Sequence, residues 1–280
     1  MKNLIFPIIL CLVVIAANAQ TKADIEVSYT MTSPNMRTGK LGDSTHQYIL
    51  LANSSQSKFY SPRTEQIDSL CSTPDGEAKF KEMQRAAALA GNFDDIPRRD
   101  GSMYVVKSTD ANVMKVCDTA GMEQYVVEEP IENIDWTIVE DSVKKVLGYD
   151  CIMATADYHG RKWTAWFTPE IPLQAGPWKL NGLPGLILEA EAEGNQYSFI
   201  ATGIQQSAKP IGPVYLADEY ETTNRIEYLK TRRAFMDNPL GKINAQFGNA
   251  GVTVASSDGS DIKQLFVPAS VVDFIETDYH

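Results

Sequence analysis

The chain has 280 residues, of which 44% are hydrophobic and 9% aromatic, enough for a sizeable core and too many for wholesale disorder. Its 36 acidic residues against 25 basic give a formal charge of −11, which excludes nucleic acid and anionic lipid surfaces as natural partners. Beyond the first twenty residues no run is apolar enough to span a bilayer, so the mature chain is not expected to cross a membrane.

The first twenty residues, "MKNLIFPIILCLVVIAANAQ", start with the basic Lys2, continue through an apolar run over residues 4–16, and end with the small residues Ala17 and Ala19. This is the layout of a secretory signal peptide cut after Ala19, too short in its apolar part for an anchor. Leu10 before Cys11 lacks the small side chain that a lipoprotein signal requires. The expectation is therefore a leader over residues 1–19 and one exported domain over 20–280, periplasmic or secreted.

In "DIEVSYT", Ile25, Val27 and Tyr29 alternate with Glu26 and Ser28, the period of a half-buried strand. "THQYILLA" and "SKFY" continue that signal. The alanine-rich stretch "DGEAKFKEMQRAAALAG", residues 75–91, then spaces Phe80, Met83 and Ala87 as a helix does. After it come the strand patterns "SMYVVKS", "NVMKVCD", "EQYVVEE", "DWTIVED", "VKKVLG", "CIMATADY", "RKWTAWFT", "LILEAEA" and "YSFIATGI", joined by short turns such as His159-Gly160 and Gly194-Asn195.

Connections this short favour antiparallel neighbours. The predicted fold class is mainly β (α+β): one large curved antiparallel sheet or half-barrel with two or three packed helices. A helix is predicted between Tyr215 and Phe235, with Asp218 and Glu219 at its start and Lys230, Arg232 and Arg233 towards its end. A short helix after Asn238-Pro239 and a hairpin turning at Asp258-Gly259 complete the pattern.

Cys71, Cys117 and Cys151 are disulfide candidates: an oxidising compartment permits one pair and leaves one thiol, and the spacing does not choose among them. No metal or cofactor is expected, because there is no nucleophile elbow, no His-Glu-x-x-His helix and no phosphate-cradling glycine loop. His159 precedes a glycine in a turn, where exposure is expected, and the pairs Glu128-Glu129 and Asp94-Asp95 read as solvated charge. A Ser-His-Asp or Cys-His set would have to use His46 or His159.

The run from Trp136 to Ala190 carries "GYDC", "GR" followed by "AWFT", then "IP", "GP" and the motif Gly182-Leu183-Pro184-Gly185-Leu186-Ile187. It closely resembles the GLPGLI family of secreted bacterial proteins. That resemblance implies a compartment rather than a reaction, since the family is of uncharacterised function and is often encoded near outer-membrane transporters.

Pro172, Pro177 and Pro184 stiffen the approach to this motif, and Leu183-Pro184-Gly185-Leu186 suits a type II turn with Gly185 at positive φ. One reading makes the segment a rigid connector. A compatible reading makes it the rim of a binding site that displays Trp178 and Leu183. Upstream, Arg161, Trp163, Ala165 and Phe167 share one strand face and Lys162, Thr164 and Trp166 the other, suggesting a strand covered on both sides, with core packing or an aromatic ligand lining as its use.

The candidate binding residues are therefore Arg161, Trp163, Trp166, Trp178, Gly182, Leu183, Pro184, Gly185 and Leu186, with Arg161 as an anion contact. The expected function is a non-enzymatic exported binding or accessory protein of the cell envelope with an outer-membrane transporter or other envelope protein as partner. The alternatives are a carrier of an apolar small molecule or lipid, and a hydrolase using acids such as Asp157 or Glu170 near Arg161.

Overall fold

The computed structural model describes residues 21–35, 42, 44–92, 96–239, 241–242, 245 and 273–280. Along them run β1 (Ile25–Ser33), β2 (Ser44–Ala52), β3 (Gln56–Tyr60), α1 (Pro62–Cys71), α2 (Pro74–Leu89), β4 (Tyr104–Ser108), β5 (Val113–Ala120) and β6 (Glu123–Glu129). Then follow β7 (Thr137–Val146), β8 (Tyr149–Tyr158), β9 (Arg161–Thr168), β10 (Leu186–Ala192), β11 (Ser198–Gln206), β12 (Glu221–Thr223) and α3 (Arg225–Asp237). All twelve strands join one mixed sheet in the order β12-β6-β5-β4-β3-β2-β1-β11-β10-β9-β8-β7.

That order fixes the shape. Between β6 and β7 lie ten strand spacings, about 48 Å if the sheet were flat. Residues 130–136, which join them, reach at most about 28 Å when fully extended. The sheet must curl until its two ends approach, an open half-barrel with an inside and an outside.

Register keeps the two faces apart. Leu50, Phe59, Val105, Val116 and Val127 lie opposite one another across five strands and line the inside. The neighbouring row, Ile49, Tyr60, Tyr104, Cys117 and Val126, lines the outside, where Ala23 and Ile211 complete a smaller apolar cluster. On β8, β9 and β10 the inner row is small, Ala154, Ala165 and Ala190 in register, which leaves room for residues 169–185 to fold inward over it.

The helix predicted over 75–91 is α2, started by Pro74 with Thr73 capping the Gly76 amide. Before it stands α1, which no pattern above foresaw, although Ser61-Pro62 is its start signal: the Ser61 hydroxyl accepts from the Thr64 amide and Pro62 opens the first turn. The helix predicted from Tyr215 begins only at Arg225, because Asn224 caps the Glu227 amide at 3.0 Å. Asp218 and Glu219 lie instead in a short turn leading to β12, which pairs parallel with β6 and so departs from the all-antiparallel expectation. The short helix after Pro239 falls largely, and the hairpin at Asp258-Gly259 wholly, outside the described residues.

Cys71, Cys117 and Cys151 are free thiols in the structure, and Cys117 on β5 and Cys151 on β8 are far apart in the sheet order. Burial pushes the Cys117 and Cys151 thiols up to about 11, which suits inert core side chains. Among the described residues no helix is long and apolar enough to cross a membrane.

Candidate functional site

The side chains expected at the rim are core, while Gly182 and Pro184 alone of the motif stay exposed. Trp178, Leu183 and Leu186 are fully buried, as is Trp163, and the rings of Trp163 and Trp178 lie 5.5 Å apart inside the half-barrel. The reason is the small alanine row: a shelf of missing side chains is filled by the loop that faces it. Trp166, on the alternate face, is half-buried, packed against the margin of the core with the Lys144 ammonium 4.4 Å over its ring.

The motif turn also differs from the expectation. Gly182, not Gly185, takes positive φ (+88°). The Gly185 amide donates to the Leu183 carbonyl at 2.8 Å, a three-residue turn centred on Pro184 whose fixed φ suits it. Gly185 is glycine for space: a Cβ there would run into the Thr168 carbonyl oxygen and stand 3.0 Å from the Pro169 Cα. The amides of Leu186 and Ile187 then donate back to Ile171 and Ala175, locking the loop onto its own strand.

Arg161 is engaged by the chain itself. Its guanidinium donates to the Phe274 and Ile275 carbonyls and to Gln196 Oε1, and so clamps residues 273–280 as a strap across the barrel mouth. The Tyr197 hydroxyl donates to the Asp273 carbonyl at 2.9 Å and the Thr277 amide to the His159 carbonyl at 3.0 Å. Asp157 is exposed and Glu170 accepts from the Asp150 amide, so neither gathers into an acid pair beside Arg161.

Beneath the strap lies a charged cluster that local pattern missed. Lys179, fully buried, stands 2.6 Å from Glu129 and 3.0 Å from Glu276. Arg225 reaches Glu276 at 2.8 Å and Asp278 at 2.7 Å. Against the opposing pull of burial, Lys179, His159 and Arg225 hold the Glu276 carboxyl below its usual range, and Arg225 and His159 do the same for Asp278. His159 is buried rather than exposed; its Nδ1 lies 3.3 Å from Asp278 and its Nε2 3.8 Å from both Glu132 and Glu276. Glu129 is thus half of an ion pair and not solvated charge. A lone lysine amid "GPWKLNG" was the available signal, unreadable without its distant partners.

Lys107, on the inner face of β4, donates to the Leu180 carbonyl at 2.8 Å. Burial, helped by Lys179, lowers its amine to about 7. Between that value and the ordinary lysine range the unfolded chain binds a proton that the folded chain does not, so stability from this residue rises with pH across that window. Lys107→Met is accordingly expected to stabilise the protein by roughly 1–3 kcal/mol at pH 6, after the cost of the orphaned Leu180 carbonyl. Urea melts at pH 6 and pH 9 check this: the gain should shrink at the higher pH.

A groove of about 330 Å³ lies between α3, the strap and the ends of β1, β2 and β5. Met31, His46, Tyr48, Met103, Asp118 and Arg232 line it. Asp118 accepts from the Ser102 hydroxyl, the Thr119 amide at 2.8 Å and the Tyr228 hydroxyl at 2.7 Å, with Arg232 at 3.3 Å. His46 Nδ1 lies 2.6 Å from Asp100.

Residues 158–189 match the family described as "Protein of unknown function (Porph_ging)". The matched segment runs from the end of β8 through β9 and the inward loop into β10, the scaffold of the buried cluster rather than of the groove. No curated protein sequence matches the chain. Solved structures of PNGF-II, in space groups P21 and C2, are similar to 75% and 74% of this chain at 14% identity, with TM-scores of 0.49 and 0.47. This chain spans about a third of their length (33% and 32%).

Proposed function

We propose that the protein is a GLPGLI-type exported binding or accessory protein of the bacterial envelope, non-enzymatic, acting on a protein partner through the groove at His46, Tyr48 and Arg232. Export rests on the leader pattern of residues 1–19, and an envelope partner such as an outer-membrane transporter rests on the resemblance of residues 136–190.

The observation that carries the reading is the filled interior. Phe59, Trp163, Trp178 and Phe199 close the inside of the half-barrel, which leaves little room to enclose a lipid. The groove is open to solvent, with apolar walls from Met31 and Met103 and polar groups at its floor. It suits a short segment or side chain presented by another protein.

A photo-crosslinker at Ser44, on the groove wall, tests it in the native envelope. The expected result is a discrete protein adduct that Met31→Trp, which fills the groove, abolishes while the protein stays folded. A lipid mass retained in native mass spectrometry, with no protein adduct, would favour the carrier instead. A hydrolase reading has one observation in its favour, the His46–Asp100 contact, which orients a ring as a general base requires. Hydrolysis of an envelope substrate that disappears in His46→Ala would establish it.

A further inference from the structure

Among the described residues, the cluster under the strap has a surplus of carboxylates over permanent cations and two polar atoms without a hydrogen-bond partner. Glu129, Glu132, Glu276 and Asp278 face two permanent cations, Lys179 and Arg225. Three buried side-chain polar atoms lack a hydrogen-bond partner among the described residues, and two of them, Tyr158 Oη and His159 Nε2, are neighbours here with ring centroids 4.0 Å apart. The His159 side chain is only 3% exposed, and its free Nε2 stands 3.8 Å from both Glu132 Oε1 and Glu276 Oε2. His159, Glu276 and Asp278 each place a ligand atom within 4.8 Å of the others.

We propose that this is a binding site for a divalent transition-metal ion such as zinc, ligated by His159 Nε2, Glu276 and Glu132. The inference goes beyond the groove and does not depend on it. A ring that donates its Nδ1–H to Asp278 turns an Nε2 lone pair towards Glu132 and Glu276, an orientation that a metal ion between them satisfies. Asp278 then serves as the carboxylate that orients a metal-bound imidazole from behind. Tetrahedral zinc with nitrogen and oxygen ligands near 2.1 Å separates neighbouring ligands by about 3.4 Å, so the two 3.8 Å separations from His159 Nε2 close with a small shift, while Glu132 swings in from its half-exposed position to meet Glu276.

Glu132, the half-exposed member at 45%, supplies both the movable ligand and the path of entry. A water completing the coordination would give Tyr158 Oη its missing partner. Nitrogen with carboxylate oxygen selects a transition metal over calcium or magnesium. Two positive charges also neutralise the surplus left by Lys179 and Arg225.

The test is calorimetric titration of zinc chloride into the metal-free full chain, with Glu132→Gln and His159→Gln alongside. Glu132 is exposed enough that its variant should fold as the parent does, which circular dichroism checks. The expected result is one zinc per chain, at least tenfold weaker in Glu132→Gln and lost in His159→Gln, with magnesium silent. If the folded parent binds no zinc, or if either variant binds it as the parent does, the site is overturned.

Discussion

Gly185→Ala is expected to destabilise the protein by about 3 kcal/mol or more, whereas Gly182→Ala, three residues earlier in the same motif, should cost about 1–2 kcal/mol. The two glycines do different jobs. A methyl group on Gly185 meets backbone, with the Thr168 carbonyl carbon at 2.7 Å and the Pro169 Cα at 3.0 Å, and neither can swing aside as a flexible side chain can. Relief requires moving the end of β9 away from the start of β10, where Leu186 pairs with Thr168 and both are buried. At Gly182 nothing lies within 4 Å of a new Cβ, and the penalty is only that of positive φ in a residue with a side chain. Thermal melts of the two variants separate the roles, with a loss of about 10 °C expected for Gly185→Ala. The reverse ranking would restore the type II turn that the sequence suggests.

Lys179→Met should cost about 3–5 kcal/mol near neutral pH, because it strands Glu129 and Glu276 in a site that excludes water. The cost should also depend on pH in a definite direction. In the parent the Glu276 and Asp278 carboxyls titrate below their unfolded values, so their contribution is fully present above the ordinary carboxylate range and fades as pH falls through the lowered folded values. Without Lys179, burial acts on Glu276 with one cation fewer to oppose it, and the carboxyl takes up a proton sooner. Urea unfolding of parent and variant at pH 7 and pH 4 should therefore show a large gap that narrows in acid. An equal gap at both would mean that Lys179 acts by packing its stem and not by its charge.

Much of the sheet is legible in the chain. The alternation of Ile25, Val27 and Tyr29 is a local property, and the strand stands where it puts it. The Asn224 cap and the Ser61-Pro62 start are local too, and were open to a closer reading. The site was hidden for a different reason. His159 meets Asp278 across 119 positions and Lys179 meets Glu129 across 50, so no window of sequence contains both halves of either pair. The aromatic strand and the loop misled because an apolar, proline-stiffened segment has the same composition whether it rims a cavity or fills one. The alanines at 154, 165 and 190 decide between them, and their register is visible only once the strands are paired.

β1, the first strand, lies near the middle of the sheet, with β2 on one side and β11 on the other, and Ile25 pairs with Gln206. As a chain emerges N-terminus first, β1 can close on β2 at once but must wait for some 180 further residues before its second edge is covered. For that interval a nine-residue strand holding Val27, Tyr29 and Met31 presents open backbone to any other strand within reach. The seam between β1 and β11 is thus late to zip and a place where two copies could exchange partners, a burden that falls on whatever escorts the chain while it is still being made.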